Sequence, residues 1–255
     1  MIAVAGITFI FAMTTLGSAA VYLFRDEISP ETNTAFLGFA SGIMVAASVW
    51  SLLIPSIDLA SGIKWLPAAA GMAAGGLFLV LLDRTVPHIH GGINLEEGPR
   101  VSLKKSTKLF LAITIHNIPE GLAVGFAFGA AASAGTQTAM ISALGLAAGI
   151  GIQNFPEGAA VSLPMKKAAG SRSSAFMYGA ASGAVEPVCA AAGYFMSAYI
   201  SFLQPWFLAF AAGAMLFVVV EDLIPESHIS DRPHLGTWSF MTGFVVMMIL
   251  DVALG

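Results

Sequence analysis

The sequence predicts an all-α, polytopic membrane protein of eight transmembrane helices, and three observations carry the prediction. Only 10% of the 255 residues are charged, against about 25% in an ordinary globular domain, while 57% are hydrophobic and the mean hydropathy is +0.83. The apolar residues fall in runs of about 20, the length that crosses a ~30 Å hydrocarbon core. Two of those runs carry nearly the same heptapeptide. The same composition excludes other classes. Eleven Lys+Arg against 15 Asp+Glu leave no basic surface for nucleic acid. The single cysteine, Cys189, excludes a disulfide framework, and the abundance of apolar surface argues against disorder.

In chain order, the first span is 2–24. It lacks the basic leading segment of a cleaved signal sequence, and its first cation, Arg25, follows the apolar run, so it is expected to stay as a span. The second, 34–58, holds Gly38-x3-Gly42 and Pro55. The third, 65–84, ends at Asp83 and is followed by the longest connection, about 85–106. The fourth and fifth, 107–130 and 137–163, hold the heptapeptides. The sixth, 174–199, contains Glu186-Pro187; the seventh and eighth are 205–224 and 236–254. Residues 1–255 thus read as one transmembrane domain.

Cations set the expected orientation. Arg25, Arg84, Arg100, Lys104, Lys105, Lys108, Lys166, Lys167, Arg172 and Arg232 fall in loops on one side, and only Lys64 on the other. By the positive-inside rule those loops are cytoplasmic and both termini lie outside, with the cell membrane as the expected location.

Residues 115–121 read Ile-His-Asn-Ile-Pro-Glu-Gly and 152–158 read Ile-Gln-Asn-Phe-Pro-Glu-Gly. They lie on consecutive, hence antiparallel, spans. A weaker match joins the second span to the seventh: Phe39-Ala40-Ser41-Gly42-Ile43-Met44 with Phe210-Ala211-Ala212-Gly213-Ala214-Met215, and Leu53-Ile54-Pro55 with Leu223-Ile224-Pro225. Asp83 and Asp251, each following an apolar run, add a faint third echo. The pattern predicts inverted repeats, spans 1–3 related to 6–8 and span 4 to span 5, an architecture of secondary transporters.

Glu120, Glu157 and Glu186 fall near the middle of spans with no Lys or Arg at comparable depth. Each costs about 2.5–3.5 kcal/mol there if ionised, so protons or a bound cation must compensate. Their neighbours favour the cation. His116 and Glu120 share a helix face at i and i+4, as do Gln153 and Glu157, with Asn117 and Asn154 one residue on from His116 and Gln153. Imidazole nitrogen with carboxylate and amide oxygen suits Zn²⁺ and neighbouring divalent ions. Pro119, Pro156 and Pro187 each remove an N–H and free the carbonyls of Ile115, Ile152 and Gly183, which is tolerated in a membrane only against protein or a watery cavity.

With these motifs the chain resembles the ZIP (Zrt/Irt-like) divalent-metal transporters, in particular their prokaryotic GufA-like branch. The resemblance implies a binuclear centre, its main site formed by His116, Glu120, Gln153 and Glu157. The second would use Asn117, Asn154 and Glu186, with Glu120 and Glu157 as bridges. Some relatives carry Asp where this chain has Asn154, which implies a weaker second site.

Met44, Ser51 and Asp58 are spaced by seven on the second span and form one expected stripe; the resemblance places it on the entry route, with Asp58 at the mouth. Glu221 and Asp222, with Glu226 and His228 beyond, are expected at the cytoplasmic end of the route. His88 and His90 form a short His-x-His tract in the long loop, where the family often carries metal-chelating histidines. Cys189 is expected to pack. Gly38-x3-Gly42, Gly125-x3-Gly129 and Gly179-x3-Gly183 would let helices slide or join two copies as a homodimer. The expected function is uptake of Zn²⁺, with Cd²⁺, Fe²⁺, Mn²⁺ and Co²⁺ as further cargo, into the cytoplasm through the fourth, fifth and sixth spans. The motion would be alternating access between the repeat bundles and the central pair, or a channel-like route. Two rivals are a proton-coupled carrier of another substrate and an intramembrane metalloenzyme; the latter lacks His-Glu-x-x-His and any nucleophile motif, so no enzymatic activity is expected.

Overall fold

Helix caps written into the sequence set the ends of the elements. A computed structural model describes residues 1–24, 29–89, 96–227, 232 and 234–254. Seven of its helices are long and apolar enough to cross a membrane. They are α1 (Ile2–Leu23), α2 (Pro30–Leu59), α3 (Trp65–Thr85), α4 (Lys105–Ala134), α5 (Gln137–Ala169), α8 (Ser201–Glu226) and α9 (Leu235–Leu254). Between α5 and α8 lie two shorter helices, α6 (Arg172–Gly183) and α7 (Val185–Tyr199). In the long connection β1 (His88–Ile89) pairs antiparallel with β2 (Glu96–Glu97).

α4 stops at Gly135 in the left-handed region (φ 65°), and Thr136 accepts from Ala139 N–H to start α5. Gly170 (φ 74°) and Ser171, which accepts from Ser174 N–H, repeat the device between α5 and α6. A left-handed glycine followed by a hydroxyl cap reverses the chain in two residues, so α4 and α5 form a tight antiparallel pair.

Two expectations are revised. The 174–199 span is not one helix but two, meeting at Ala184. Pro187 cannot donate to the Gly183 carbonyl, and the chain steps through a tighter Ala184 N–H to Ala181 contact. A π-helical turn, Ser48–Leu53, also interrupts the regular α-helical period expected across Met44, Ser51 and Asp58. Met44, before the turn, lies in the core, and Asp58, after it, is exposed. A second π-turn, Val219–Leu223, ends at the matching Leu-Ile-Pro of α8.

Small residues then set which helices touch. A Cβ on Gly158 would fall on the Thr14 carbonyl, fixing α5 to α1, and one on Gly125 would fall on Ala190, fixing α4 to α7. Similar seams join α2 to α9 at Gly42 and α3 to α8 at Gly213. The Gly-x3-Gly faces are therefore spent inside one chain: Gly38 meets Gly236, Gly129 meets Tyr194, and Gly179 meets Ser18. The segments expected as separate repeat bundles are interleaved by these contacts.

Candidate functional site

α4 and α5 run unbroken through Pro119 and Pro156, so both heptapeptides lie about half-way along their helices. Glu120 is 1% exposed and Gln153 fully buried. Gln153 Nε2 donates to Glu120 Oε1 at 2.6 Å and to Asn154 Oδ1 at 2.9 Å. The remaining oxygens of the pair, Glu120 Oε2 and Gln153 Oε1, are buried and accept no hydrogen bond from the described residues. A buried acceptor left in that state costs about 1–3 kcal/mol, more when charged. Two such oxygens on one hydrogen-bonded pair are the donor set a hard or borderline cation takes. Glu157 is half-buried and within electrostatic reach of Glu120 and Glu186.

Glu186 lies in the first turn of α7, where the helix N-terminus favours a negative charge. Its Oε1 accepts from Thr14 Oγ1 at 2.7 Å and its Oε2 from Asn154 Nδ2 at 2.9 Å. Asn117 Nδ2 donates to the Ser182 carbonyl at 3.0 Å, just before the α6–α7 step. These contacts bring α1, α4, α5 and the α6–α7 junction to one place.

His116 Nε2 lies 3.1 Å from Asp222 Oδ2 on the π-turn of α8. The imidazole, at i−4 from Glu120, thus links that carboxylate's helix to the expected cytoplasmic end of the route. Asp222 is 7% exposed, while Glu221 beside it faces outward. Among the described residues no three His, Cys, Asp or Glu side chains are gathered as a metal cluster. The donors brought together here include amides, and His116 is turned to Asp222.

The outlying candidates separate. Ser51 Oγ donates to Asp251 Oδ1 of α9, whose other oxygen is buried and accepts no hydrogen bond from the described residues. The sequence reading met Asp251 only as an echo of Asp83, and the signal that could have found it is its charge within an apolar run. His88, expected in an open loop, is 1% exposed, with Nδ1 2.8 Å from the Val86 carbonyl and Nε2 3.5 Å from Asp83. His90 and His228 lie outside the described residues. Cys189 is a free thiol at the α4–α7 seam, near Gly121. Thr14 had no place among the candidates, because nothing in the sequence sets its hydroxyl apart from those of Thr8, Thr15 and Ser18 on the same helix.

Comparison with known proteins adds a further finding. A family model described as "ZIP Zinc transporter" matches residues 100–251. The chain is 36% identical to the Homo sapiens protein named zinc transporter ZIP11, over 99% of this chain and 97% of that one. It is 39% identical to zinc transporter GufA of Myxococcus xanthus, over 95% of this chain and 94% of the other. Zinc transporter ZIPB of Bordetella bronchiseptica is 38% identical, over 96% of this chain and 79% of its own.

Proposed function

The chain belongs to the ZIP zinc transporter family, in its prokaryotic GufA-like branch, and from that premise we propose that it carries zinc across the membrane into the cytoplasm. One observation supports the reading above the rest: Glu120 and Gln153, joined by a hydrogen bond, each keep a buried oxygen that accepts no hydrogen bond from the described residues, on helices long and apolar enough to span a bilayer. On this reading the ion binds through His116, Glu120, Gln153 and Glu157, near the membrane midplane. A transporter family and a ligand set without a nucleophile both speak for a carrier over an enzyme.

Each residue's part follows from its chemistry. Asp58, exposed at the end of α2, gathers cations, and Asp251 with Ser51 offers a carboxylate between that end and the centre. Glu120 and Glu157 supply negative charge, and Gln153 contributes a neutral oxygen that limits affinity. His116, already beside Asp222, is the group that passes the ion from Glu120 toward the cytoplasmic acids. A negative-inside potential favours a doubly charged ion by about 4.6 kcal/mol per 100 mV, twice the single-charge figure. Cd²⁺, Fe²⁺, Mn²⁺ and Co²⁺ accept the same nitrogen and oxygen donors and complete the proposed cargo range.

The proposed topology has eight crossings, α6 and α7 together forming the sixth, with both termini outside the cell membrane. The paired π-turns that end at Leu53 and Leu223 support an inverted relation between α2 and α8. A homodimer would meet through faces other than the glycine seams, which one chain already uses. The test is zinc uptake into proteoliposomes, with His116→Ala and Glu157→Ala as controls. Wild-type vesicles should fill and both variants should be slowed at least tenfold; wild-type vesicles no better than empty ones for every ion tried would refute the reading.

A further inference from the structure

α2 and α9 run parallel with their backbones in contact. A Cβ on Gly38 would meet the Gly236 carbonyl, and one on Gly42, a turn further along, would meet the Phe240 carbonyl. α5 packs against this pair through side chains instead, with Met247 and Ile43 over Gly149. Between that contact and the N-termini of α2 and α9 lies a groove of about 520 Å³, within the ~300–1,000 Å³ of small-molecule sites. Its walls include Phe36 and Phe39 of α2, Phe155 and Pro156 of α5, and Trp238 and Thr242 of α9. Thr242 spends its hydroxyl on the Trp238 carbonyl at 2.8 Å, so the named walls are largely aromatic and apolar.

The groove opens along α9, where Trp238 is 70% exposed. All three helices are long and apolar enough to cross a membrane, so the open side faces acyl chains. Trp238 falls in the first turn of α9, the level at which interfacial tryptophans anchor, and Thr242 lies one turn deeper. The mouth carries a charge of each sign. Glu31 is in the first turn of α2, and Arg232, exposed just before α9, lies within its electrostatic reach. The two helix N-termini side by side add partial positive charge. A zwitterionic head answers this pattern, its phosphate to Arg232 and the N-termini, its ammonium to Glu31; a purely anionic head would be opposed by Glu31.

We propose that the groove is a phospholipid site: one acyl chain lies between α5 and the α2–α9 pair, and a head bearing a primary ammonium beside its phosphate sits on Glu31 and Arg232. The lipid belongs to the leaflet at the N-termini of α2 and α9, the cytoplasmic one on the topology proposed above. Phe155 and Pro156 fall between Gln153 and Glu157, so the chain rests against the segment that holds the proposed ligands. The site itself takes no metal, and its occupancy is independent of the transport reading.

The test places the full chain in bilayers of phosphatidylcholine and phosphatidylethanolamine, one of the two brominated in its chains. With Trp50→Phe, Trp65→Phe and Trp206→Phe, Trp238 is the remaining tryptophan, and bromine beside it quenches its fluorescence. The methylated ammonium of phosphatidylcholine has no hydrogen to donate to Glu31. Brominated phosphatidylethanolamine should therefore reach half-maximal quenching at a mole fraction about threefold lower, the size of an exposed charge pair. Thr242→Phe, which fills the groove, and Glu31→Gln, which removes the partner of the ammonium, should each make the two lipids equal. Native mass spectrometry of the chain with all its tryptophans covers the case in which that background folds poorly: it should retain one phosphatidylethanolamine per chain, and Thr242→Phe none. Equal quenching by both lipids without a groove substitution, a preference that survives either substitution, a mass spectrum in which Thr242→Phe keeps the lipid, or a lipid-free dimer that Thr242→Phe dissociates would each overturn the proposal.

Discussion

Glu120→Gln should separate stability from function in opposite directions. The substitution keeps size and removes charge at a residue 1% exposed, whose Oε1 accepts from Gln153 at 2.6 Å and whose Oε2 accepts from nothing. An ionised carboxylate in a span costs about 2.5–3.5 kcal/mol, so without metal the variant should melt no lower than wild type. With metal it loses the charged ligand. Taking about 2.8 kcal/mol, the upper range for an interaction with a charged group, zinc affinity falls roughly 100-fold. At a zinc concentration 100 times the wild-type Kd, binding stabilises wild type by about 2.7 kcal/mol, whereas the variant, then at its own Kd, gains about 0.4 kcal/mol. Thermal melts of the detergent-solubilised protein with and without zinc measure both quantities, and proteoliposome uptake measures the consequence. A Glu120→Gln protein that keeps the full zinc-induced rise in Tm, or that melts well below wild type without zinc, would refute the assignment of Glu120 as a ligand held at a cost to the fold.

Three other outcomes follow from particular contacts. Asp222→Asn should leave equilibrium zinc binding within about threefold of wild type but slow uptake about tenfold, because it weakens the partner of His116 and not the Glu120–Gln153 pair; competition dialysis beside uptake rates would show this. Gly158→Val should destabilise the chain by more than 3 kcal/mol, since even a Cβ falls on the Thr14 backbone carbonyl; the readout is the detergent melting temperature. In a Cys189→Ala background, cysteines placed at Gly135 and Gly170 should react with a membrane-impermeant reagent from opposite sides, Gly135 from outside intact cells and Gly170 only after lysis. Labelling of both from one side would break the eight-crossing topology.

Most of the architecture is legible in the sequence because a membrane makes errors of composition expensive. Glu120, Glu157 and Glu186 stand out against apolar runs, and the chain could not carry them there without a use. Gly135-Thr136 and Gly170-Ser171 likewise announce the turns that reverse α4 into α5 and α5 into α6. What stays hidden depends on distant partners. Pro187 signals a kink, yet the residues before the step at Ala184 are held by Asn117, whose amide donates to the carbonyl of Ser182, 65 residues away. The π-turns have no compositional sign beyond the shared Leu-Ile-Pro, so nothing in the heptad spacing of Met44, Ser51 and Asp58 shows the wider turn between them. His88 read as part of a His-x-His tract in a long loop, and only the fold shows that it turns back to within 3.5 Å of Asp83, five residues earlier. Thr14 was invisible for the same reason: its significance is a carboxylate 172 residues away.

The placement of satisfied and unsatisfied oxygens also bears on how such a carrier could let go of its cargo. A site made only of free carboxylates would bind a divalent ion tightly and release it slowly, since affinity among related complexes is set mostly by the off-rate. In the proposed site one carboxylate, Glu186, is engaged by Thr14 and Asn154, one proposed ligand, Gln153, is neutral, and the imidazole already lies beside an acid on another helix. Each feature lowers the hold on the ion without removing the buried acceptors that draw it from water. Strengthening any one should therefore trap the cargo. Gln153→Glu, which adds a charge beside Glu120, is the sharpest case: tighter zinc binding together with slower uptake would follow if release limits the cycle, and faster uptake would place the limiting step at capture instead.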